Sequence, residues 1–363
     1  MKKKILKLYR FYTIYGFSKT YIKVIGRLRI ITFLKLPFSF VFFSKKEIGI
    51  IGAGQFAFSH IAYYLKLNRG NSLVGVFDIN LKNSTSLAKY YNTKVFHSPE
   101  ELINNDKVKY IYIASNHASH TEYAIKALNA NKIVYVEKPI SVSKNQFKSL
   151  INACKNKKIF VGYNRPLSPA VFTINKFLNV NKREPITISC FITGHKIAKD
   201  HWYRNYNEGT RICGNVGHWI DLSINFLNKL GFPNNLKISI NSSNDNEKDD
   251  NVSIVMVSDK GDLISIILSS REEPFEGINE SINIQHSNLI AKIDDFRNLT
   301  IWKEERLIKK RFFRKNVGHK NAILQPFTKE YERDFFEIEI STRLMLEITE
   351  TIRNKKTNFT FKF

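Results

Sequence analysis

The chain has 363 residues, 43% hydrophobic and 25% charged, the balance of a folded globular protein with room for two domains. Its three cysteines, Cys154, Cys190 and Cys213, are scattered without a CxxC or Cys/His cluster. That argues against a disulfide framework or a structural metal site and fits a reducing, cytoplasmic compartment. The net charge of +25 would suit an anionic partner, but Asn, Lys, Ile and Phe are abundant throughout, so the charge is discounted and no nucleic-acid partner is expected.

Residues 1–45 read as a basic, aromatic-rich arm. No Asp or Glu occurs before Glu47, while Lys and Arg recur from Lys2 to Lys46. The apolar stretch Ile30–Phe43 is shorter than the roughly 20 residues of a membrane span and contains Lys35 and Pro37. It starts late for a signal peptide, and no small-residue cleavage site follows. Two readings stay open: peripheral contact with the anionic inner face of a membrane, or ordered docking on the protein or a neighbouring subunit. Tyr9, Phe11, Tyr12, Tyr15 and Phe17 are many aromatics for a disordered tail and favour docking.

Residues 46–165 alternate apolar strands with helical stretches, the pattern of a parallel sheet covered by helices. Strands are expected at Glu47–Ile51, Leu73–Asp78, Lys94–Phe96, Tyr110–Ser115, Ile133–Val136 and Ile159–Tyr163, with helices at Ser119–Asn129 and Asn145–Asn156. The first strand runs into Gly52-Ala53-Gly54-Gln55-Phe56-Ala57. In a strand–turn–helix setting Gly52 allows the tight turn, Gly54 lets a pyrophosphate approach the backbone, and small Ala57 lets the helix pack. The helix N-terminus supplies free N–H groups to the phosphates. Asp78, at the end of the second strand, suits the ribose hydroxyls of NAD and would repel the 2′-phosphate of NADP, although Lys82 nearby keeps NADP open. Ser115 and Asn116 lie at a strand's carboxyl end, where ligands bind in such folds, and His120 stands near the start of the next helix. Strand Ile133–Val136 runs into Glu137-Lys138-Pro139. A lysine there can donate to a substrate oxygen, and Pro139 restricts Lys138 to extended backbone and permits a cis bond.

The set GAGQFA, SNHASHTEYAIKAL and VEKPIS, at this spacing, resembles the Gfo/Idh/MocA family of NAD(P)-dependent sugar and cyclitol oxidoreductases over about residues 46–350. The resemblance implies an α/β fold: an N-terminal Rossmann doubly wound sheet, then residues 166–363 as an α/β domain with a large, mostly antiparallel sheet. It also implies homo-oligomer contacts through the back of that sheet. Cofactor contacts are expected from Gly52, Gly54, Gln55, Phe56, Ala57, Asp78, Ser115, Asn116, His120, Glu137 and Lys138.

Beyond Arg165, a helix is expected from about Pro169 to Leu178 and another over Asn215–Leu230. Strands are expected at Ile186–Thr193, Leu236–Ile240, Val252–Ser258, Leu263–Ser269, Glu280–His286, Leu289–Asp294 and Leu299–Glu304, closed by a helix from about Thr328 to Asn354. His218 matches the family's second-domain histidine. Gly214 stands one turn earlier where relatives often place an acid or amide, and Asn215 shares the face of His218. Gly162-Tyr163-Asn164-Arg165 resembles the family's crossover, with Arg165 a substrate contact. Trp202 could stack on a sugar face and Arg204 could meet a carboxylate or phosphate. His218 is expected to act as base and Lys138 to polarise the oxygen, with the exchanged roles open.

The implied function is hydride transfer between a sugar-like hydroxyl and NAD, with a nucleotide sugar for surface polysaccharide synthesis as the narrower expectation. Transient oxidation giving epimerisation or elimination is an alternative, and a non-catalytic NAD-binding sensor or scaffold is another.

Overall fold

The computed structural model describes every residue except 1, 31, 42, 245 and 273–276, and the side chains of residues 2 and 3 are likewise outside the description. Ile31 and Phe42 of the apolar stretch therefore lie outside the described residues. Two compact units are present. One joins Phe11–Gly162 to His319–Phe335; the other joins Tyr163–Gly318 to Phe336–Phe363 and to the first helix as far as Arg10.

The arm is helical: α1 (Lys2–Tyr15) and α2 (Phe17–Leu28) are separated by Gly16 at φ 80°. The spacing of Ile22, Ile25 and Gly26 gives α2 one buried face. Ile22 and Ile25 join the core formed by Phe58, Tyr63, Tyr90 and Tyr91. A Cβ on Gly26 would lie 2.6 Å from the Phe58 ring, so no larger residue permits this approach. Further on, the Tyr90 hydroxyl accepts the Leu36 N–H at 2.9 Å and donates to the Leu36 carbonyl at 3.0 Å. Lys19 sits 3.7 Å above the Tyr64 ring and 4.2 Å from the Tyr63 ring centre, so part of the arm's charge rests on aromatic faces. Helix α2 and Leu36 are thus packed on the dinucleotide unit. Among the described residues no helix is long and apolar enough to cross a membrane.

The sheet of this unit contains β1 (Ile48–Ile51), β2 (Leu73–Phe77), β3 (Lys94–Val95), β4 (Tyr110–Ile113), β5 (Ile133–Val136) and β6 (Ile159–Val161), parallel and in the order β3-β2-β1-β4-β5-β6. Both β1 and β4 are buried along their whole length, as unbroken apolar runs require. The strand order reverses between them, which opens a crevice beyond their carboxyl ends. Helices α3 (Ala62–Arg69), α4 (Leu81–Tyr91), α5 (Pro99–Ile103), α6 (His117–Asn129) and α7 (Lys144–Cys154) cover the sheet. Ser98 and Ser143 cap α5 and α7 by accepting the N–H groups of Glu101 and Gln146. The later segment His319–Phe335 returns to this unit, where Tyr112 donates to the Ile323 carbonyl at 2.7 Å.

The other unit is built on nine strands. They are β7 (Ile186–Thr193), β8 (Asn235–Ser242), β9 (Val252–Ser258), β10 (Leu263–Ser269), β11 (Asn279–His286), β12 (Leu289–Asp294), β13 (Asn298–Lys303), β14 (Arg306–Arg311) and β15 (Asn358–Lys362). Their order is β14-β13-β12-β11-β7-β10-β9-β8-β15, antiparallel throughout except for β7 beside β10. Side chains alternate strictly, with Ile186, Ile188, Cys190 and Ile192 turned inward from β7. Helices α8 (Pro169–Asn175) and α9 (Gly217–Leu230) and the helix Phe335–Arg353 complete the unit.

The doubly wound sheet followed by a mostly antiparallel one is the fold expected from the sequence. Two strands were not anticipated. Arg306–Arg311 is an exposed, basic edge strand with no apolar alternation to reveal it. Asn358–Lys362 pairs with β8, and its short run was masked by the apolar periodicity of the helix before it. That helix begins at Phe335 rather than Thr328, because residues Lys329–Tyr331 form a separate 3-10 turn.

Candidate functional site

The glycine turn is built as its residues require. Gly52 has φ 91°, and a Cβ on it would collide with the Ala114 carbonyl, so the turn is closed against β4 as tightly as a bare backbone allows. A Cβ on Gly54 would meet nothing within 4 Å, leaving open space in front of the turn for a pyrophosphate. The helix that starts at Gln55 passes through a π turn at Ala57–Ile61 before becoming α3. Ala57 is fully buried, as close packing behind the turn demands, and Phe56 stacks on His60 at 4.7 Å. Gln55 reaches back to the arm, donating from Nε2 to the Lys23 carbonyl at 3.0 Å.

Asp78 is held by two backbone donors. Its Oδ2 accepts the Ala53 N–H at 2.6 Å and its Oδ1 accepts the Asn80 N–H at 2.8 Å. Each oxygen keeps a lone pair, so the carboxylate is oriented and can still accept ribose hydroxyls. Ala53 is gripped from its other side by Arg29, whose Nη2 donates to the Ala53 carbonyl at 2.6 Å. Its Nη1 donates to the Ser86 hydroxyl at 2.9 Å. Sequence reading did not mark Arg29, because the arm carries no cofactor motif; the one available signal was the amphipathic spacing of α2, which brings Arg29 to the turn.

Around β4 and β5, Ser115 Oγ lies 2.7 Å from Ser119 Oγ, and Ser119 donates to the Asn116 side chain at 2.7 Å. His120 is buried, with Nδ1 2.8 Å from the Pro139 carbonyl and Nε2 3.1 Å from the Ser115 carbonyl. Both ring nitrogens face backbone carbonyls, so His120, expected as a cofactor contact, ties the Ser115 loop to the Pro139 turn. The Lys138-Pro139 peptide is cis. Glu137 is buried and accepts the Tyr135 hydroxyl at 2.6 Å. Burial pushes its carboxyl up to about 7, against the opposing pull of that hydrogen bond and of the Lys138 charge. Gly162 makes room for it: a Cβ there would stand 2.6 Å from a Glu137 oxygen.

In the other unit, His218 occupies the first turn of α9, its ring 6.1 Å from that of Tyr163 in an edge-on arrangement. The π turn Ile212–Val216 leads into it and carries Gly214 and Asn215. The Asn215 Oδ1 is buried without a hydrogen-bond partner among the described residues. Of the three remaining expected contacts, two are arginines paired with carboxylates. Arg165 is buried and donates from Nε and Nη2 to the Glu280 carboxylate at 2.8 and 3.0 Å. Arg204 spends its fork on Glu247 and Asp250, which belong to the loop before β9, at 2.5 and 2.9 Å. Both guanidinium groups are held within the unit by carboxylates, a pairing that spacing alone does not reveal. Trp202 remains 45% exposed, edge-on to Tyr203.

The turn, the oriented Asp78 and the open space before Gly54 suit a dinucleotide. Residues 46–164 match the oxidoreductase family described as GFO_IDH_MocA, NAD-binding Rossmann fold. The chain is 42% identical over 98 residues to glucose-6-phosphate 3-dehydrogenase of Bacillus subtilis (strain 168), a match covering 27% of each chain. It is 29% identical over 150 residues to inositol 2-dehydrogenase of Serratia proteamaculans (strain 568), covering 40% of this chain and 44% of that one. The chain spans between about a quarter and about half of the length of the curated relatives it matches. UDP-N-acetylglucosamine 3-dehydrogenase GnnA from Acidithiobacillus ferrooxidans has a similar fold, with a TM-score of 0.68 at 17% identity over 85% of this chain and 97% of that one. Over its dinucleotide domain, residues 46–164, the chain is similar to the Gfo/Idh/MocA oxidoreductases with an NAD-binding Rossmann fold.

Proposed function

We propose that the chain is a nicotinamide-dependent dehydrogenase or reductase of a sugar-like hydroxyl, with a nucleotide sugar used in surface polysaccharide synthesis as the narrower substrate class. The observation that carries the reading is the glycine turn open at Gly54 beside an Asp78 already oriented by two backbone N–H groups. Bound nicotinamide would accept or return the hydride. Gly52 and Gly54 let the backbone approach the pyrophosphate, and Asp78 accepts the ribose hydroxyls, which favours NAD over NADP. His218 takes the hydroxyl proton as general base, and Lys138 donates to the substrate oxygen. Names of relatives that act on glucose 6-phosphate, inositol and a UDP-sugar support the substrate class. The test is NADH formation by the full chain with a panel of free, phosphorylated and UDP- or GDP-linked sugars. Substrate-dependent NADH formation supports it. Product isomerisation without NADH build-up would mean transient oxidation, and NAD binding with no conversion of any sugar would leave a sensor.

We also propose a homo-oligomer formed through the outer face of the nine-stranded sheet. Phe191 and Ile267 pair across β7 and β10, and Ile290, Trp302 and Leu307 line up across β12, β13 and β14, all of them exposed. Such an apolar face needs a cover. Sedimentation of the chain and of a Trp302→Glu, Ile267→Lys variant checks this: the parent should be oligomeric and the variant smaller, and a monomeric parent would sink the idea.

A further inference from the structure

We propose that Arg29, supplied by the N-terminal arm, is a specificity-determining residue of the cofactor site that partly offsets Asp78 and receives the anionic 2′-phosphate of NADP. The proposal rests on the cofactor reading of the glycine turn and assigns a role to a segment outside the part that matches the family, residues 46–164.

Ala53 fixes the geometry. Its N–H is donated to Asp78 and its carbonyl receives Arg29, each at 2.6 Å, so cation and carboxylate flank one residue of the turn. Arg29 is held for this. It caps the end of α2 in the left-handed region at φ 54°, its own N–H donating to the Ile25 carbonyl at 2.8 Å. A non-glycine residue bears that backbone strain only where its surroundings insist on it. The buried face of α2 anchors the helix, so the guanidinium is positioned by a core and not by a loose tail.

The charge is also unspent. Among the described residues, the hydrogen-bond partners of Arg29 are two backbone carbonyls, of Ala53 and Asn83, and the Ser86 hydroxyl; none of these is a carboxylate. A small cavity of about 70 Å³ adjoins it, lined also by Thr32, Lys35, Ser86 and Lys89, and none of the described residues lining it is acidic. Burial lowers the Arg29 pKa from its ordinary value, and the nearby Asp78 charge opposes that shift. Arg29 can therefore turn its fork from carbonyl oxygens to a phosphate, the stronger, charge-assisted partner.

Calorimetric titration of NAD and NADP into the full chain, Arg29→Ala and Arg29→Lys tests this without any sugar. Arg29→Ala should weaken NADP at least tenfold more than NAD, and Arg29→Lys should recover part of the loss through its retained charge. An NADP-to-NAD affinity ratio within threefold of the parent's in Arg29→Ala overturns the proposal, as does an equal loss of both cofactors. Should Arg29→Ala not fold, the ratio in Arg29→Gln is read by the same criteria. If the parent binds neither cofactor, the reading of the glycine turn fails with it; if the parent binds NAD and the ratio does not move, Arg29 alone is wrong.

Discussion

Arg165 and Glu280, 115 positions apart, form a two-pronged ion pair that is almost wholly buried. The indole N–H of Trp219 donates to the same carboxylate at 2.8 Å, and the guanidinium lies 4.5 Å from the Trp219 ring centre. Three elements are joined by it: the crossover after β6, strand β11 and helix α9, which carries His218. Removing one partner of such a pair leaves an uncompensated buried charge, which costs about 3–5 kcal/mol. Glu280→Ala should lose about that much stability in urea denaturation, and Arg165→Lys, which keeps the charge but not the fork, should lose less. A Glu280→Ala protein as stable as the parent would mean that the pair is ornamental.

Lys138→Ala and His218→Ala should each leave NAD affinity nearly unchanged and lower turnover by about 100-fold or more, the usual scale for lost acid–base help. Their pH profiles should separate the roles. Removing the base should abolish the lower limb of the kcat/KM profile, since a neutral imidazole is needed there. If NAD affinity falls while turnover is kept, both residues serve the cofactor and not the reaction.

How much of the site was legible in the sequence depended on how local each signal was. The turn at Gly52 and Gly54 was readable because strand, glycines and helix are contiguous and each has its own chemical reason. Asp78 was readable from its distance along the chain to the turn. Arg165 and Arg204 were read as substrate contacts; their partners Glu280, Glu247 and Asp250 come from distant strands and loops, and no spacing rule reports such a pairing. Arg29 was hidden by the opposite effect. In a segment where Lys and Arg recur without an acid, one arginine looks like the rest until α2 folds and brings it to Ala53.

Glu137 gives a stability signature with a definite sign. Its carboxyl is raised from 4.5 to about 7 in the folded protein, mainly by burial. Between those values the folded chain holds a proton that the unfolded chain releases. The contribution is therefore fully present below about pH 4.5 and is lost as pH rises toward 7, on the order of a few kcal/mol. Glu137→Gln has no charge to bury and still offers an oxygen to Tyr135. It should be flatter than the parent from pH 5 to 8 and more stable above pH 7. Urea midpoints at pH 5 and pH 8 decide the matter; identical pH dependence in the two proteins would mean that Glu137 is ionised when folded.

The arm yields a prediction in which docking and membrane contact come apart. Ile22, Ile25 and Leu36 are buried, so a chain starting at Lys45 strips apolar area from the dinucleotide unit. Burial of each such side chain is worth roughly 1.5–3 kcal/mol, and the truncated protein should be less stable or insoluble whatever the arm does at a membrane. Truncation alone therefore cannot test surface binding. Phe33, Phe38, Phe40 and Phe43 can, because all four are exposed, at 107%, 65%, 85% and 98%, with Lys35 among them and Lys45 and Lys46 just after. Exposed rings flanked by lysines suit an anionic bilayer surface, where each basic residue contributes about 1 kcal/mol. We propose peripheral contact there. Replacing the four phenylalanines with serine removes no buried contact, so stability should be unchanged within about 0.5 kcal/mol. Flotation with vesicles of phosphatidylserine and phosphatidylcholine should carry the parent at low salt, carry less of it at high salt, and lose the serine variant. Equal flotation of both proteins, or none by the parent, would leave the arm a purely internal brace on the turn that begins at Gly52.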